Sequence, residues 1–295
     1  MPESKSINRI INELEQELNS CGIEDVSLEA SLLLEAFTGF DRLEQLRSPE
    51  AQLTDLQISK LKAALHERCR HKPLSQILGE TWFYGRPFLV NADVLTPRAD
   101  TEILVEAVIK EIEERYRGTQ EGISVLDTCT GTGCIGISIW LECGKADLIR
   151  KLDLNDTSAK ALKVARNNAE RHALPENCLS LYSCDLWPDD NIHYDVITCN
   201  PPYINEGDME RLMPEVGLYE PKLALYGGKD GLDFYRRLAE EAAEHLSPSG
   251  IIAVEHAYDQ REAIKEIFAA SPLKLLKELN DYGGNARVLI FEMPG

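Results

Sequence analysis

From Gly122 onward, short apolar runs alternate with longer amphipathic ones, and no other feature narrows the possible folds as far. ISVLD (123–127), LIRKLDL (148–154), LSLYSCD (179–185), YDVITCN (194–200) and GIIAVEH (250–256) have the length and β-branched content of strands. Helical runs lie between them, notably Ser158–His172 and Asp233–Leu246. Strands this apolar are covered on both faces, so the alternation predicts a parallel sheet between two helical layers. LKLLKELND (273–281) and ARVLIFEM (286–293) flank the turn signal GGN, which predicts a closing antiparallel pair.

The upstream part has a different texture. Ile7, Ile10, Ile11, Leu14 and Leu18 recur at helical spacing, with Gly22 placed to end the helix. Leu28, Leu32, Leu33 and Phe37 predict a second helix closing near Gly39. Thr54-Asp55-Leu56-Gln57 has the form of a capping box and opens a third helix that ends before Pro73. Residues 1–73 therefore read as a small helical domain without a catalytic signature. TWFYGRPFLVN (81–91) reads as a β-hairpin within a connector, 74–97. The remainder, 98–295, is the α/β domain, in which Asp100 or Thr101 can cap the first helix.

Composition bounds the function. The 295 residues are 43% hydrophobic, enough for a sizeable core in one large or two modest domains. Lysine plus arginine is 31 and aspartate plus glutamate 50, a formal charge of 31 − 50 = −19. Such a surface repels a phosphate backbone and argues against nucleic acid as a direct partner; a basic protein would suit it better. No run reaches the length of a membrane span, and the acidic N-terminus lacks a signal-peptide core, so a cytoplasmic protein is expected. The eight cysteines include no CxxC pair and the six histidines form no ligand pattern. The cysteines read as reduced, buried small residues, without disulfide or metal.

Two stretches carry chemistry. VLDTCTGTGCIGISIW (125–140) is a strand, a loop of small residues and a helix start. Gly131 and Gly133 let the backbone approach a ligand, and the helix start offers free N–H groups. GTGCIG matches the dinucleotide fingerprint by letters, yet no nicotinamide catalytic set follows it; a plain tight turn is the competing reading. Asp156, after the next strand, is placed for ribose hydroxyls, and Asp185, after the third, for an adenine amino group. Either could instead be a solvated loop acid or a helix cap. Their positions at successive strand ends favour one nucleoside ligand.

The second stretch is Asn200-Pro201-Pro202-Tyr203, which ends the fourth strand. An Asn side chain is the hydrogen-bonding complement of another primary amide. Asn200 Oδ1 and the Pro201 carbonyl can accept both N–H bonds of a planar amino group, turning its nitrogen toward an electrophile. Tyr203 can stack on that group and exclude water. Such a site works by positioning. The suitable electrophile is the methyl of a sulfonium, whose cationic leaving centre requires no metal.

With these residues in place, the chain resembles the S-adenosylmethionine-dependent methyltransferases with an NPPY site. Within them it is most similar to the HemK/PrmC-type glutamine methyltransferases of peptide-chain release factors. The likeness is carried by PLSQILGETWFYGRPFLVNADVLTPRADTE (73–102), LDTCTGTG, NPPYI, EPKLALYGGKDGLDFYRRL (220–238), EHAYDQ (255–260) and DYGGNARV (281–288). The resemblance implies a Rossmann-like seven-stranded class I methyltransferase domain behind a helical domain that docks the substrate protein. It implies N5-methylation of the glutamine in the Gly-Gly-Gln motif of class I release factors, by a monomer, with S-adenosylhomocysteine as product. On that pattern Cys129, Thr130, Gly131, Thr132 and Gly133 hold the methionine part of the cofactor. Asp156 takes the ribose, Asp185 and Leu186 the adenine side, and Asn200, Pro201, Pro202 and Tyr203 the glutamine amide, with Asn200 also touching the cofactor. Cys129 replaces the usual glycine, which a negative φ there would permit; Ala99 replaces a usual proline. Arg98, beside it, can anchor an incoming loop or make a surface ion pair. The rivals are a ribosomal-protein glutamine methyltransferase, an adenine-N6 DNA methyltransferase and a binding module that has kept the fold.

Overall fold

The computed structural model describes residues 5–118, 121–144, 148–188 and 192–295; the first four residues, part of the N-terminal segment read above, lie outside these. The chain divides into two units. One runs to Gly79 and includes Met213–Tyr219; the other holds Glu80–Leu212 and Glu220–Gly295.

In the first unit, α1 (Ile7–Ser20) buries Ile7, Ile10, Leu14 and Leu18 along the predicted stripe. The second helix, α2 (Val26–Thr38), ends on Gly39 in the left-handed region, whose N–H bonds the Glu35 carbonyl at 2.8 Å. The short α3 (Arg42–Arg47) was not expected; only Gln45 of its six residues is buried, so it carries no apolar stripe to read. In α4 (Asp55–Cys69) the Thr54–Gln57 box is closed in both directions. Residues of α1, α2 and α4 form the core of the unit. α5 (Leu74–Leu78) belongs to this unit as well, so the hairpin starts only after Gly79.

One expectation fails here. Cys21 and Cys69, at the ends of α1 and α4, form a disulfide with Cα atoms 5.3 Å apart. Their sequence separation of 48 gives no local signal; only the packing of the two helices brings them together. Of the other six, Cys134, Cys143 and Cys199 are buried as expected, whereas Cys129, Cys178 and Cys184 are half-buried.

The second unit opens with β1 (Glu80–Phe83) and β2 (Arg86–Leu89), paired antiparallel around Tyr84-Gly85. Both turn residues have positive φ, 49° and 71°, as the twist of a two-residue hairpin demands. Then follow α6 (Glu102–Tyr116), β3 (Ile123–Thr128), α7 (Cys134–Cys143), β4 (Ile149–Asn155), α8 (Ala159–Arg171), β5 (Leu179–Tyr182), β6 (Tyr194–Cys199) and the short α9 (Glu206–Met209). After α10 (Pro214–Gly217), which lies in the first unit, come α11 (Asp233–His245), β7 (Leu246–Glu255), α12 (Arg261–Phe268), β8 (Lys274–Asn280) and β9 (Ala286–Glu292).

Seven strands form one sheet in the order β5-β4-β3-β6-β7-β9-β8, parallel except for β9. Neighbouring residues of each central strand enter opposite cores. Val125, Val196 and Ile251 pack with α6, α7 and α8, while Leu126, Ile197 and Ile252 pack with α11 and α12. The chain leaves β3 toward β4 and β5, then returns to β6 on the other side. That reversal opens a crevice at the carboxyl ends of β3 and β6, where ligands of such sheets bind.

Candidate active site

β3 ends in Asp127 and Thr128, both fully buried. Asp127 Oδ2 accepts the Thr130 hydroxyl at 2.5 Å and the Gly136 N–H at 3.2 Å; Oδ1 accepts the Thr198 hydroxyl at 2.8 Å. One carboxylate thus ties the glycine loop, the first turn of α7 and β6 together. Burial pushes its pKa up to about 6, and the three donors oppose that shift.

The loop turns on three left-handed residues: Cys129 at φ 56°, Gly131 at 53° and Gly133 at 80°. Cys129 therefore does not keep the negative φ expected of a non-glycine residue. It sits where glycine is favoured, and the backbone strain is held by the Thr130 N–H bond to the Asn155 carbonyl, 2.9 Å. Gly133 is fixed by space as well, since a Cβ there would lie 2.8 Å from Ile137 Cδ1.

Asp156 accepts the Gly131 N–H at 2.9 Å on one oxygen and the Ser158 N–H at 2.8 Å on the other. Helix α8 is capped by Ser158 through the Ala161 N–H. Burial raises the pKa of Asp156, against those two N–H groups. A carboxylate offers about four acceptor positions, so two stay open for hydroxyls. Asp185 lies beyond the end of β5 and accepts from Arg237 Nη1 at 3.1 Å. Leu186 takes φ 60°, and its carbonyl accepts the Thr128 hydroxyl at 2.7 Å. Buried Asn155 donates to Thr128 Oγ1 at 3.2 Å and so steadies the same loop. Neither Thr128 nor Asn155 was picked from sequence; each reads there as an ordinary strand-end residue.

A cavity of about 450 Å³ joins these parts. Cys129–Thr132, Asp156, Asp185, Leu186, Asn200 and Pro202 line it, with Arg98, Thr101 and Phe234. Gly133, Pro201 and Tyr203 are not on its wall: Gly133 packs inward, Pro201 is buried, and the Tyr203 hydroxyl lies 3.5 Å from Glu255 Oε1. Arg98 pairs with both oxygens of buried Glu220, at 2.8 and 2.7 Å.

Asn200 follows β6. Cys199 lies opposite Val254 of β7, so Asn200 stands beside Glu255. Its Nδ2 donates to Thr101 Oγ1 at 3.4 Å. Thr101 makes no cap to α6, contrary to the sequence expectation; its hydroxyl serves the site instead. Behind the motif, Gln260 Nε2 donates to the Tyr203 and Gly231 carbonyls at 3.0 and 3.2 Å. A Cβ at Gly227 would lie 2.5 Å from the Pro202 carbonyl oxygen, so the GGKDG stretch has to be glycine where it crosses the motif. Glu255 is fully buried, with its pKa pushed up by burial to about 7; burial of neighbouring His256 lowers the imidazole pKa to about 4.

The sheet order and the glycine loop beside an Asn-Pro-Pro-Tyr strand end define a class I methyltransferase. A sequence profile described as the PrmC N-terminal domain matches residues 9–79, and one described as the methyltransferase small domain matches 99–215. The release factor glutamine methyltransferase of Agrobacterium fabrum is 35% identical over 274 residues, 93% of either chain. That of Caulobacter vibrioides is 36% identical over 273 residues, 92% of this chain and 91% of its own. The bifunctional methyltransferase of Rickettsia felis is 31% identical across 97% of this chain, which spans 58% of that larger protein. Among solved structures, the hMettl16 catalytic domain in complex with MAT2A 3′UTR hairpin 6 superposes with a TM-score of 0.55 at 13% identity, covering 85% of this chain and 86% of its own. A Streptococcus mutans methyltransferase gives 0.50 at 14% identity, over 80% of this chain and 66% of that one; both likenesses concern the fold alone. The chain belongs to the release factor glutamine methyltransferase family.

Proposed function

We propose that the chain transfers a methyl group from S-adenosylmethionine to the side-chain nitrogen of the glutamine in the Gly-Gly-Gln motif of class I release factors. The observation that carries this reading is the placement of Asn200 on the wall of the cavity that the glycine loop and Asp156 also line. A primary amide there faces an amide acceptor, while the loop one strand away suits a nucleoside ligand. The names of the full-length relatives support the substrate.

The residues fit the cofactor. The glycine loop is small, a Cβ at Gly131 would meet nothing within 4 Å, and Asp156 keeps open acceptor positions after bonding the loop. Cys129–Gly133 would hold the methionine part, Asp156 the ribose, and Asp185 with Leu186 the adenine side. When bound, S-adenosylmethionine supplies a methyl on cationic sulfur, whose bond to carbon breaks as the nitrogen's bond forms. Asn200 Oδ1 and the Pro201 carbonyl accept the two N–H bonds of the glutamine amide and hold its weak lone pair on line. The methylated nitrogen then loses one proton to solvent. Pro202 shapes the wall, and Tyr203 backs the motif from behind it, its hydroxyl toward Glu255. Residues 1–73 dock the protein substrate, 74–97 connect, and 98–295 catalyse.

The reaction calls for no metal, and the net charge of −19 disfavours nucleic acid, so a monomer acting on a protein in the cytoplasm is the reading we adopt. Among the described residues no helix is long and apolar enough to cross a membrane. The test is fragmentation mass spectrometry of an unmethylated release factor after incubation with the chain and S-adenosylmethionine. One methyl on the Gly-Gly-Gln glutamine is expected; a methyl elsewhere, or none, contradicts the reading.

A further inference from the structure

A site that works by amide-to-amide pairing has a weakness. The two ends of an Asn side chain have nearly the same shape, and a half-turn exchanges the acceptor for the donors. If Asn200 is to accept from a glutamine, something must hold its NH₂ end elsewhere. Thr101 Oγ1 takes that end at 3.4 Å, yet a lone hydroxyl can donate as readily as accept and does not choose between the two. A hydroxyl whose own proton is committed to a carboxylate can only accept.

Glu255 is the carboxylate in the right place. It ends β7, next to Asn200, with 1% of its surface exposed, and Thr101 has 2%. Thr101 favours the ionised form of this carboxyl against the rise from burial, and no hydrogen bond of ordinary geometry joins the two in this structure, so its hydroxyl proton is uncommitted. Oε1 lies 3.5 Å from the Tyr203 hydroxyl, while Oε2 is buried without a hydrogen-bond partner. A native structure seldom buries an acceptor for nothing. We infer that Glu255 is a positioning residue: through Thr101 it holds the NH₂ end of Asn200 away from the cavity, leaving Oδ1 to receive the substrate amide. This rests on the function proposed above and adds to it two residues outside the Asn-Pro-Pro-Tyr motif.

The arrangement has a pH signature. Burial raises the Glu255 carboxyl to about 7, with Thr101, Arg287 and Tyr203 opposing and Asp100 reinforcing the rise; Tyr235 donates to the Glu255 backbone carbonyl at 2.7 Å. As pH falls through about 7, Glu255 takes up a proton that it can give to Thr101. Thr101 can then donate to Asn200, and the preference for one amide end is lost.

The experiment measures kcat, KM for an unmethylated release factor, and S-adenosylhomocysteine affinity for the wild type, Thr101→Val, Thr101→Ser and Glu255→Gln, with thermal unfolding as the check on folding. Expected are a kcat roughly tenfold to 100-fold lower in T101V, recovery in T101S, and unchanged affinity for the nucleoside. Wild-type turnover should fall on the acid side with an inflection near 7 that E255Q lacks. T101V turnover within twofold of wild type, or an inflection that persists in E255Q, would overturn the inference. Should the wild type bind S-adenosylhomocysteine but methylate no glutamine, the proposed function fails by itself. The side-chain amide NMR signals of Asn200 then decide the contact: a shift in T101V supports it and identical signals overturn it.

Discussion

Two buried carboxylates end neighbouring parts of the same sheet, and they are used differently. Asp127, at the end of β3, has both oxygens satisfied by three donors from the loop, α7 and β6. Glu255, at the end of β7, has one long contact to Tyr203 and an oxygen with no hydrogen bond. Burial raises both pKa values, to about 6 and about 7. The first is a brace: full satisfaction fixes a strained loop in one shape. The second is under-satisfied, next to the amide proposed to receive the substrate. A raised pKa does not by itself separate scaffold from function; the hydrogen-bond inventory around the group does.

The comparison can be broken at several points. Asn200→Ala should give the largest effect, a loss of turnover of about 1000-fold, since the substrate amide loses its acceptor. Circular dichroism and nucleoside affinity should stay close to wild type; a variant that still turns over at wild-type rate would remove Asn200 from the mechanism. Asp127→Ala should cost about 3 kcal/mol in urea unfolding, because two hydroxyls and an N–H are stranded in the interior. It should also weaken nucleoside binding. A loss under 1 kcal/mol would show that the loop does not depend on its brace.

The pH dependence sharpens the same contrast. A carboxyl raised from 3.8 to about 6 in the folded state binds more protons there than in the unfolded chain. Its contribution to stability therefore falls as pH rises between about 4 and 6, and for Glu255 the fall continues to about 7. Urea titrations across this window should show a slope that Asp127→Asn reduces below pH 6 and Glu255→Gln reduces up to 7. Cys129→Val should cost about 1–2 kcal/mol, as a β-branched residue is forced to a φ of 56°. A neutral substitution would mean that the loop relaxes. Tyr203→Phe should be mildest, a few-fold in kcat, because a hydroxyl at 3.5 Å bonds weakly.

Much of this was readable from the letters, and the rest was hidden for physical reasons. The alternation after Gly122 gave the parallel sheet, since strands such as β3 are buried along their whole length. The stripe of α1 and the caps at Thr54 and Gly39 were equally local signals. Glu255 and Thr101 escaped because each has a commonplace local reading, a strand end and a helix cap. The roles proposed for them rest on the parallel register that sets β7 beside β6. Cys129 escaped because its side chain says nothing of its φ, and the Cys21–Cys69 bond because pairing depends on how α1 and α4 meet. Asp156, picked from the sequence for ribose hydroxyls, lines the cavity and also bonds the Gly131 N–H, a contact that no local pattern announces.

On the proposed mechanism, an amide at the end of β6 presents another amide for methylation. The most direct test is intact-mass and fragment analysis of an unmethylated release factor treated with S-adenosylmethionine and either the wild-type chain or Asn200→Ala. One added methyl, on the Gly-Gly-Gln glutamine, is expected with wild type and none with the variant. A methyl on another residue, or equal transfer by both proteins, would contradict it.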